Sequence, residues 1–191
     1  MRNDNYIFFY YLSLFFSASA LFVSCEKSEA VSESKYNEKA NELIGQIVSD
    51  NSCNCMLEIP KESIIAMSAI ERPNYDIRKP LLEHLNLKSS SELDSLIRLS
   101  NNFILDKNLL MRNKVKLVDL EFLKSLKRNF DLKTCSKGVI CIQKPIFDKR
   151  YKTAIITYTY AFTCSGGFIM TYIYKNGKWV EIETAGNSRH D

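Results

Sequence analysis

Few side chains in this 191-residue chain could carry chemistry, and their scarcity limits the possibilities. There are two histidines, His84 and His190, and six cysteines, Cys25, Cys53, Cys55, Cys135, Cys141 and Cys164. A serine or cysteine nucleophile needs a base within hydrogen-bond reach. Thr163-Cys164-Ser165-Gly166-Gly167 offers a thiol and a hydroxyl, but Ser-Gly-Gly is first of all turn chemistry. His190 is the penultimate residue of a polar tail, and His84 sits in Leu81-Leu82-Glu83-His84-Leu85, where a histidine at the edge of a core is the ordinary finding. Cys53-Asn54-Cys55 lacks the C-x-x-C spacing of a redox or zinc site and has no histidine near it, so it reads as disulfide or buried thiol. Carboxylates are the better lead. Glu181 and Glu183 alternate, so a regular strand puts both on one face, beside Tyr158, Tyr172, Tyr174 and Trp179. Two carboxyl groups across a cleft lined with rings are what glycoside hydrolysis uses. On an outer strand the same glutamates make a solvated face that discourages edge pairing. We assign no catalytic residue, metal or cofactor, and take Tyr158, Tyr172, Tyr174, Trp179 and Glu181 as the candidate ligand-binding group.

What must position that group is a β-meander. Ala154 to Phe162 and Phe168 to Tyr174 are β-branched and aromatic almost throughout, and Trp179 to Glu183 follows them. Asn176-Gly177 between the last two runs tolerates the positive φ values of a type I′ hairpin turn. That turn sets Tyr174 opposite Trp179, Ile173 opposite Val180, Tyr172 opposite Glu181 and Thr171 opposite Ile182. One face then carries Ile169, Ile173, Val180 and Ile182, expected to be core. The other carries Tyr158, Tyr160, Phe162, Phe168, Tyr172, Tyr174 and Trp179, which is either more core or a surface that stacks on a ligand.

The N-terminal half reads as helical. Tyr36, Ala40, Leu43, Ile44, Ile47 and Val48 share one stripe of a helix over Ser34 to Ser49. Met56 to Pro60 suggests a short edge strand, and Ser63 to Ile70 a short helix ending before Pro73. Leu81 to Leu87 follows Pro80, which suits the first position of another helix, and Ser89 with Glu92 forms a capping box ahead of the next helix. Phe103 to Leu105 and Lys114 to Val118 suggest extended pieces. Asp119 caps a helix with Leu120, Leu123, Leu126 and Phe130 as its apolar stripe. Val139 to Ile142 reads as a strand.

Met1 to Ser24 differs from the rest. An uncharged, aromatic-rich run, Tyr6 to Ser24, stands where a secretory signal has its hydrophobic region. Leu21-Phe22-Val23-Ser24-Cys25 resembles a bacterial lipobox, which implies acyl chains on Cys25 that anchor the protein by burying methylenes at about 0.8 kcal/mol each. Ala18-Ser19-Ala20 also fits an ordinary signal cleavage site, and the run is just long enough for an uncleaved anchor. The expected organisation is a signal peptide over 1–24, a lipidated tether over 25–35, one α+β domain over 36–184 and a polar tail over 185–191. Glu26 and Glu29 resemble the surface-export signals of some Gram-negative lipoproteins. The expected location is the cell envelope, with the anchor in the outer membrane.

Lipidation of Cys25 leaves five cysteines in an oxidising compartment, so one is unpaired. Cys135 and Cys141 could close a small loop, while Cys53 or Cys55 could reach Cys164. The formal net charge of +4 points to no particular partner. The basic run Lys124, Lys127, Arg128, Lys133 and Lys137 lacks the interleaved aromatics of a nucleic-acid surface.

Lys144-Pro145-Ile146-Phe147-Asp148, then Lys152 to Ile156, Ser165-Gly166-Gly167 and Asn176-Gly177-Lys178-Trp179 are together similar to the C-terminal portion of small uncharacterised envelope lipoproteins of Gram-negative bacteria. The likeness covers roughly the last quarter of the chain and implies an envelope location but no activity. The expected whole is an α+β domain, N-terminal helices packed on a C-terminal antiparallel meander, acting as a non-enzymatic binding or interaction module. Its partners are the membrane through Cys25 and a protein or glycan, not nucleic acid. A glycan-acting hydrolase using Glu181 and Glu183, or a periplasmic immunity protein against a toxin, are the alternatives.

Overall fold

The computed structural model of the chain describes residues 32–59, 61, 78–129, 133–160 and 168–185. The expected signal segment, Cys25, the Ser63–Ile70 helix, the Ser165-Gly166-Gly167 turn with Cys164, and the tail beyond Ala185 lie outside the described residues. The chain divides between Lys35 and Tyr36 into two units, and the elements below build the second. A helix over residues 32–50 (α1) leads into it, so helix is already present in the last four residues of the expected tether.

Among the described residues four more helices follow, α2 (Arg78–His84), α3 (Ser90–Leu99), α4 (Lys107–Arg112) and α5 (Leu120–Asn129). Capping residues set where they start. Ser89 accepts the Glu92 amide, and Glu92 reaches back to the Lys88 amide, one residue beyond the usual capping-box partner. Asp106 accepts from the amide of Asn108 and Asp119 from that of Phe122. Pro80 is the third residue of α2 rather than its first.

Seven strands among the described residues, β1 (Cys55–Leu57), β2 (Lys116–Val118), β3 (Val139–Ile142), β4 (Ile146–Phe147), β5 (Thr153–Tyr160), β6 (Phe168–Lys175) and β7 (Lys178–Ala185), form one sheet. Their order is β2-β1-β3-β5-β6-β7, with β4 paired to β5. The expected antiparallel meander, β5-β6-β7, is one half of it. The other half corrects the expectation: β1 runs parallel to both β2 and β3, and the sheet is mixed. Nor is β1 an edge strand. Parallel neighbours need long crossovers, and the helices between β1 and β2 supply one. A three-residue strand shows too little alternation for its neighbours to be read from sequence.

Alternation along the sheet sends residues to two cores. Met56, Ile140 and Ile142 join a large one with Phe147, Ala154, Ile156, Met170, Tyr172 and Trp179, where α1 contributes Tyr36, Ala40, Leu43, Ile44, Ile47 and Val48. Cys55, Val139 and Cys141 join a small one with Val118, Leu123 of α5 and Cys135. A disulfide, Cys55–Cys135, closes the small core, in place of the local Cys135–Cys141 loop considered from sequence. Cys141 is disulfide-bonded too, and Cys53 is a buried free thiol. Of the apolar stripe expected for α5, Leu123 is buried and Leu120 is exposed; Leu126 and Phe130 lie outside the described side chains.

Polar side chains flank the buried stripe of α1 and grip extended backbone on either side. Asn37 accepts from the Ile104 amide and donates to the Asn102 carbonyl. One turn on, Asn41 accepts from the Asp106 amide and donates to the Ile104 carbonyl. On the opposite flank, Gln46 accepts from the Trp179 amide at 2.9 Å and donates to the Trp179 carbonyl at 2.6 Å. Gly45 lies between: a Cβ there would stand 2.6 Å from Leu109 Cδ1, so α4 and α1 approach as closely as they do only because position 45 has no side chain.

Candidate functional site

The five residues singled out from sequence do come together. Asn176 and Gly177 have φ of 51° and 77°, as the hairpin turn requires, and pair Tyr174 with Trp179 and Tyr172 with Glu181. Ala154 lies opposite Tyr172, and Tyr158 opposite Phe168, so the rings occupy one face as expected. That face is core. Trp179 is 2% exposed and Tyr172 is buried, with Tyr158 and Tyr174 half-buried. Trp179 packs on Phe147 and Tyr174, and Phe147 meets Tyr36 of α1 edge-on. The Tyr36 hydroxyl donates to the Pro145 carbonyl at 2.8 Å, and burial pushes its pKa up, so it stays a donor. Trp179 and Tyr172 are thus packed within the core rather than open to stacking, while Glu181 is exposed.

The expected burial of the aliphatic face holds only part of the way across the sheet. Ile155 and Thr171 are buried on it and Ile169 and Ile173 are half-buried, but on β7 Val180 is 44% exposed and Ile182 is exposed. Ile182 also leaves the expected register. Thr171 pairs with Glu183, not Ile182, because a bulge inserts Ile182 after Glu181. Tyr172 and Thr171 alternate on β6, so their partners Glu181 and Glu183 hold register positions on opposite faces. The carboxylate pair that a shared face would give is thereby separated.

Polar chemistry survives at the rim of the aromatic face. Tyr158 and Tyr172 hydroxyls lie 3.2 Å apart, and Tyr172 donates to Glu181 Oε2 at 3.3 Å. Burial, then the Tyr158 hydrogen bond, raise the Tyr172 pKa, so this phenol keeps its proton and positions Glu181 rather than acting as a base. Tyr174 has the Lys39 ammonium 4.3 Å and the Lys152 ammonium 5.5 Å from its ring centre. The Glu42 carboxylate bonded to Lys39 raises the ammonium's pKa, so this cation stays on. Of these contacts, Lys39 over the Tyr174 ring ties α1 to the sheet.

Comparison with protein-family models, curated proteins and solved structures returns no match. The functional reading therefore rests on the molecule's own surfaces. His84 is half-buried in the last turn of α2, and no group of three or more metal-ligating side chains occurs among the described residues. No helix among them is long and apolar enough to cross a membrane. Burial raises the pKa of the Cys53 thiol, which keeps it in its unreactive form.

Among the described residues the exposed large apolar side chains are Ile104, Met111, Leu120, Val180 and Ile182. Three of them, Ile104, Met111 and Leu120, stand outside the meander. Sequence reading missed α4, although Asp106 ahead of Leu109-Leu110 carries a cap signal; six residues are too few for periodicity to show. It also missed Gln46, whose carboxamide occupies both backbone groups of Trp179 and so closes the sheet edge at that residue.

Proposed function

We propose that this chain is a non-enzymatic interaction module of the cell envelope, tethered through acyl chains on Cys25. The observation that carries the interaction reading is Ile104. Its amide and carbonyl are both held by α1, yet its side chain is 75% exposed. An apolar side chain on so fixed a backbone is presented to a partner already ordered, which reduces the entropy lost on binding. The envelope reading draws on the Leu21 to Cys25 pattern and on oxidised cysteines: the Cys55–Cys135 disulfide spans a separation of 80 residues, and Cys141 is oxidised as well. Such bonds persist in oxidising compartments. The finer arrangement, N-terminal helices seated on the antiparallel meander, is the scaffold that this reading assigns to the module.

Two measurements test it. Mass spectrometry of the membrane fraction should find the mature N-terminus as an acylated Cys25; an unmodified N-terminus at Leu21 sinks the anchor. A photo-crosslinking amino acid at position 104 should capture a partner, protein or lipid, in intact cells, and the same probe at Lys175, on the exposed hairpin end, should not. Equal yields at both positions refute the interaction surface.

A further inference from the structure

We propose that residues 104–114 seat the domain on an anionic lipid surface, with Ile104 and Met111 entering the headgroup layer and Lys107, Arg112 and Lys114 lying against lipid phosphates. This rests on the interaction reading above and names the partner of that surface.

Ile104 and Met111 are the two most exposed large apolar side chains among the described residues, at 75% and 66%. Both project from fixed supports. Asn37 and Asn41 hold the Ile104 backbone at 2.7 and 2.9 Å. Leu109 and Leu110 bury the underside of α4, Leu109 against Gly45. With those two positions facing in, helical geometry places Lys107, Asn108, Met111 and Arg112 on one outward arc, and all four are exposed.

The charge on this segment is complementary to a phosphate layer. Its one acidic residue, Asp106, is occupied in capping α4 through the Asn108 amide at 2.9 Å and lies 3.9 Å from Arg112. Lys107 and Lys114 are exposed and form no ion pair among the described residues. Exposed Lys116 on β2 extends the basic side.

Two separate apolar projections are too little for the desolvated centre of a protein interface, which typically needs about 1,000 Å² in all. They suit a lipid contact, where a few apolar side chains reach about 5–10 Å into the headgroup boundary and surrounding Lys and Arg draw on anionic lipid.

The test places a tryptophan at the contact in the full chain, as Met111→Trp, reconstituted into phosphatidylethanolamine–phosphatidylglycerol vesicles with or without brominated acyl chains. The native Trp179 is buried and sets the background in the wild-type chain. The proposal predicts roughly twofold bromolipid quenching of the new emission, because an interfacial side chain reaches the acyl boundary. That quenching should return to background in about 1 M salt, where charges are screened within about 3 Å, and in a chain that also carries Lys107→Glu and Lys114→Glu. Quenching that ignores both salt and these substitutions reports the N-terminal anchor alone and overturns the proposal, as does emission equal in the two kinds of vesicle. Ile104→Trp, at the more exposed of the two positions, repeats the test should Met111→Trp disturb α4. Crosslinks from position 104 to a protein, with no bromolipid quenching, reject the lipid inference and leave the interaction reading standing; absence of both rejects both.

Discussion

The sheet is closed by two cores of different kinds. On one face α1 lays Tyr36, Leu43, Ile44 and Ile47 over Phe147, Tyr172 and Trp179, and large side chains make up the contact. On the other, where β1, β2 and β3 meet α5, the core holds six buried residues among the described ones, and three of them are cysteines. There a covalent link across 80 residues supports the packing by restricting the unfolded chain. One half of the sheet depends on packing and the other on oxidation, so the two halves should fail under different insults.

The largest effect should come from the packed half. Trp179→Ala should cost about 3–5 kcal/mol, read as a lowered urea midpoint, because it empties the contact with Phe147 and Tyr174. Trp179→Phe should cost far less, since the buried indole N–H has no hydrogen-bond partner to lose among the described residues. Val180→Ala, one residue away on the open face, should stay within about 0.5 kcal/mol. Equal costs at 179 and 180 would erase the distinction between the two faces of β7.

Next comes the stapled half. Replacing Cys55 and Cys135 together by alanine should cost about 3 kcal/mol, with the native-state tryptophan emission unchanged. A shift in that emission would mean the two cores are coupled rather than separate. Gln46→Leu should be milder, about 1 kcal/mol for two lost backbone contacts. It also uncaps the edge at Trp179, so sedimentation should show association that grows with concentration in the variant and not in the wild type.

The smallest effect concerns Glu92. The Lys149 ammonium at 2.7 Å and the Lys88 amide hold its carboxyl below the usual glutamate range. A depressed folded-state value means that the contribution to stability is present above the unfolded pKa and fades as pH falls through the folded one. NMR titration should find the Glu92 pKa low in the wild type and raised in Lys149→Ala. The urea midpoints of the two proteins should differ at neutral pH and converge in acid.

Much of this was legible in the residues. The Asn176-Gly177 turn, the three meander strands, the Ser89 and Asp119 caps and the apolar stripe of α1 follow from local rules that tertiary context did not override. Which face of the meander lies inside did not follow. Alternation separates Tyr172 and Trp179 from Val180 but cannot say which set the helix covers, and long-range partners decided it: Tyr36 on Phe147, Gln46 on Trp179. The bulge at Ile182 was hidden because an extra residue in an alternating run looks like more strand. Short strands β1 and β2 carry too little pattern to reveal parallel pairing, and the Cys55–Cys135 bond joins residues that only the fold brings together.

The aromatic face of the meander, with Tyr172 and Trp179 buried on it, is core beneath α1. Trp179 is the only tryptophan of the chain, so its intrinsic fluorescence reports on that face directly. The account predicts blue-shifted emission in the native protein and acrylamide quenching several-fold weaker than in urea. Native emission and quenching equal to those of the unfolded chain would contradict it.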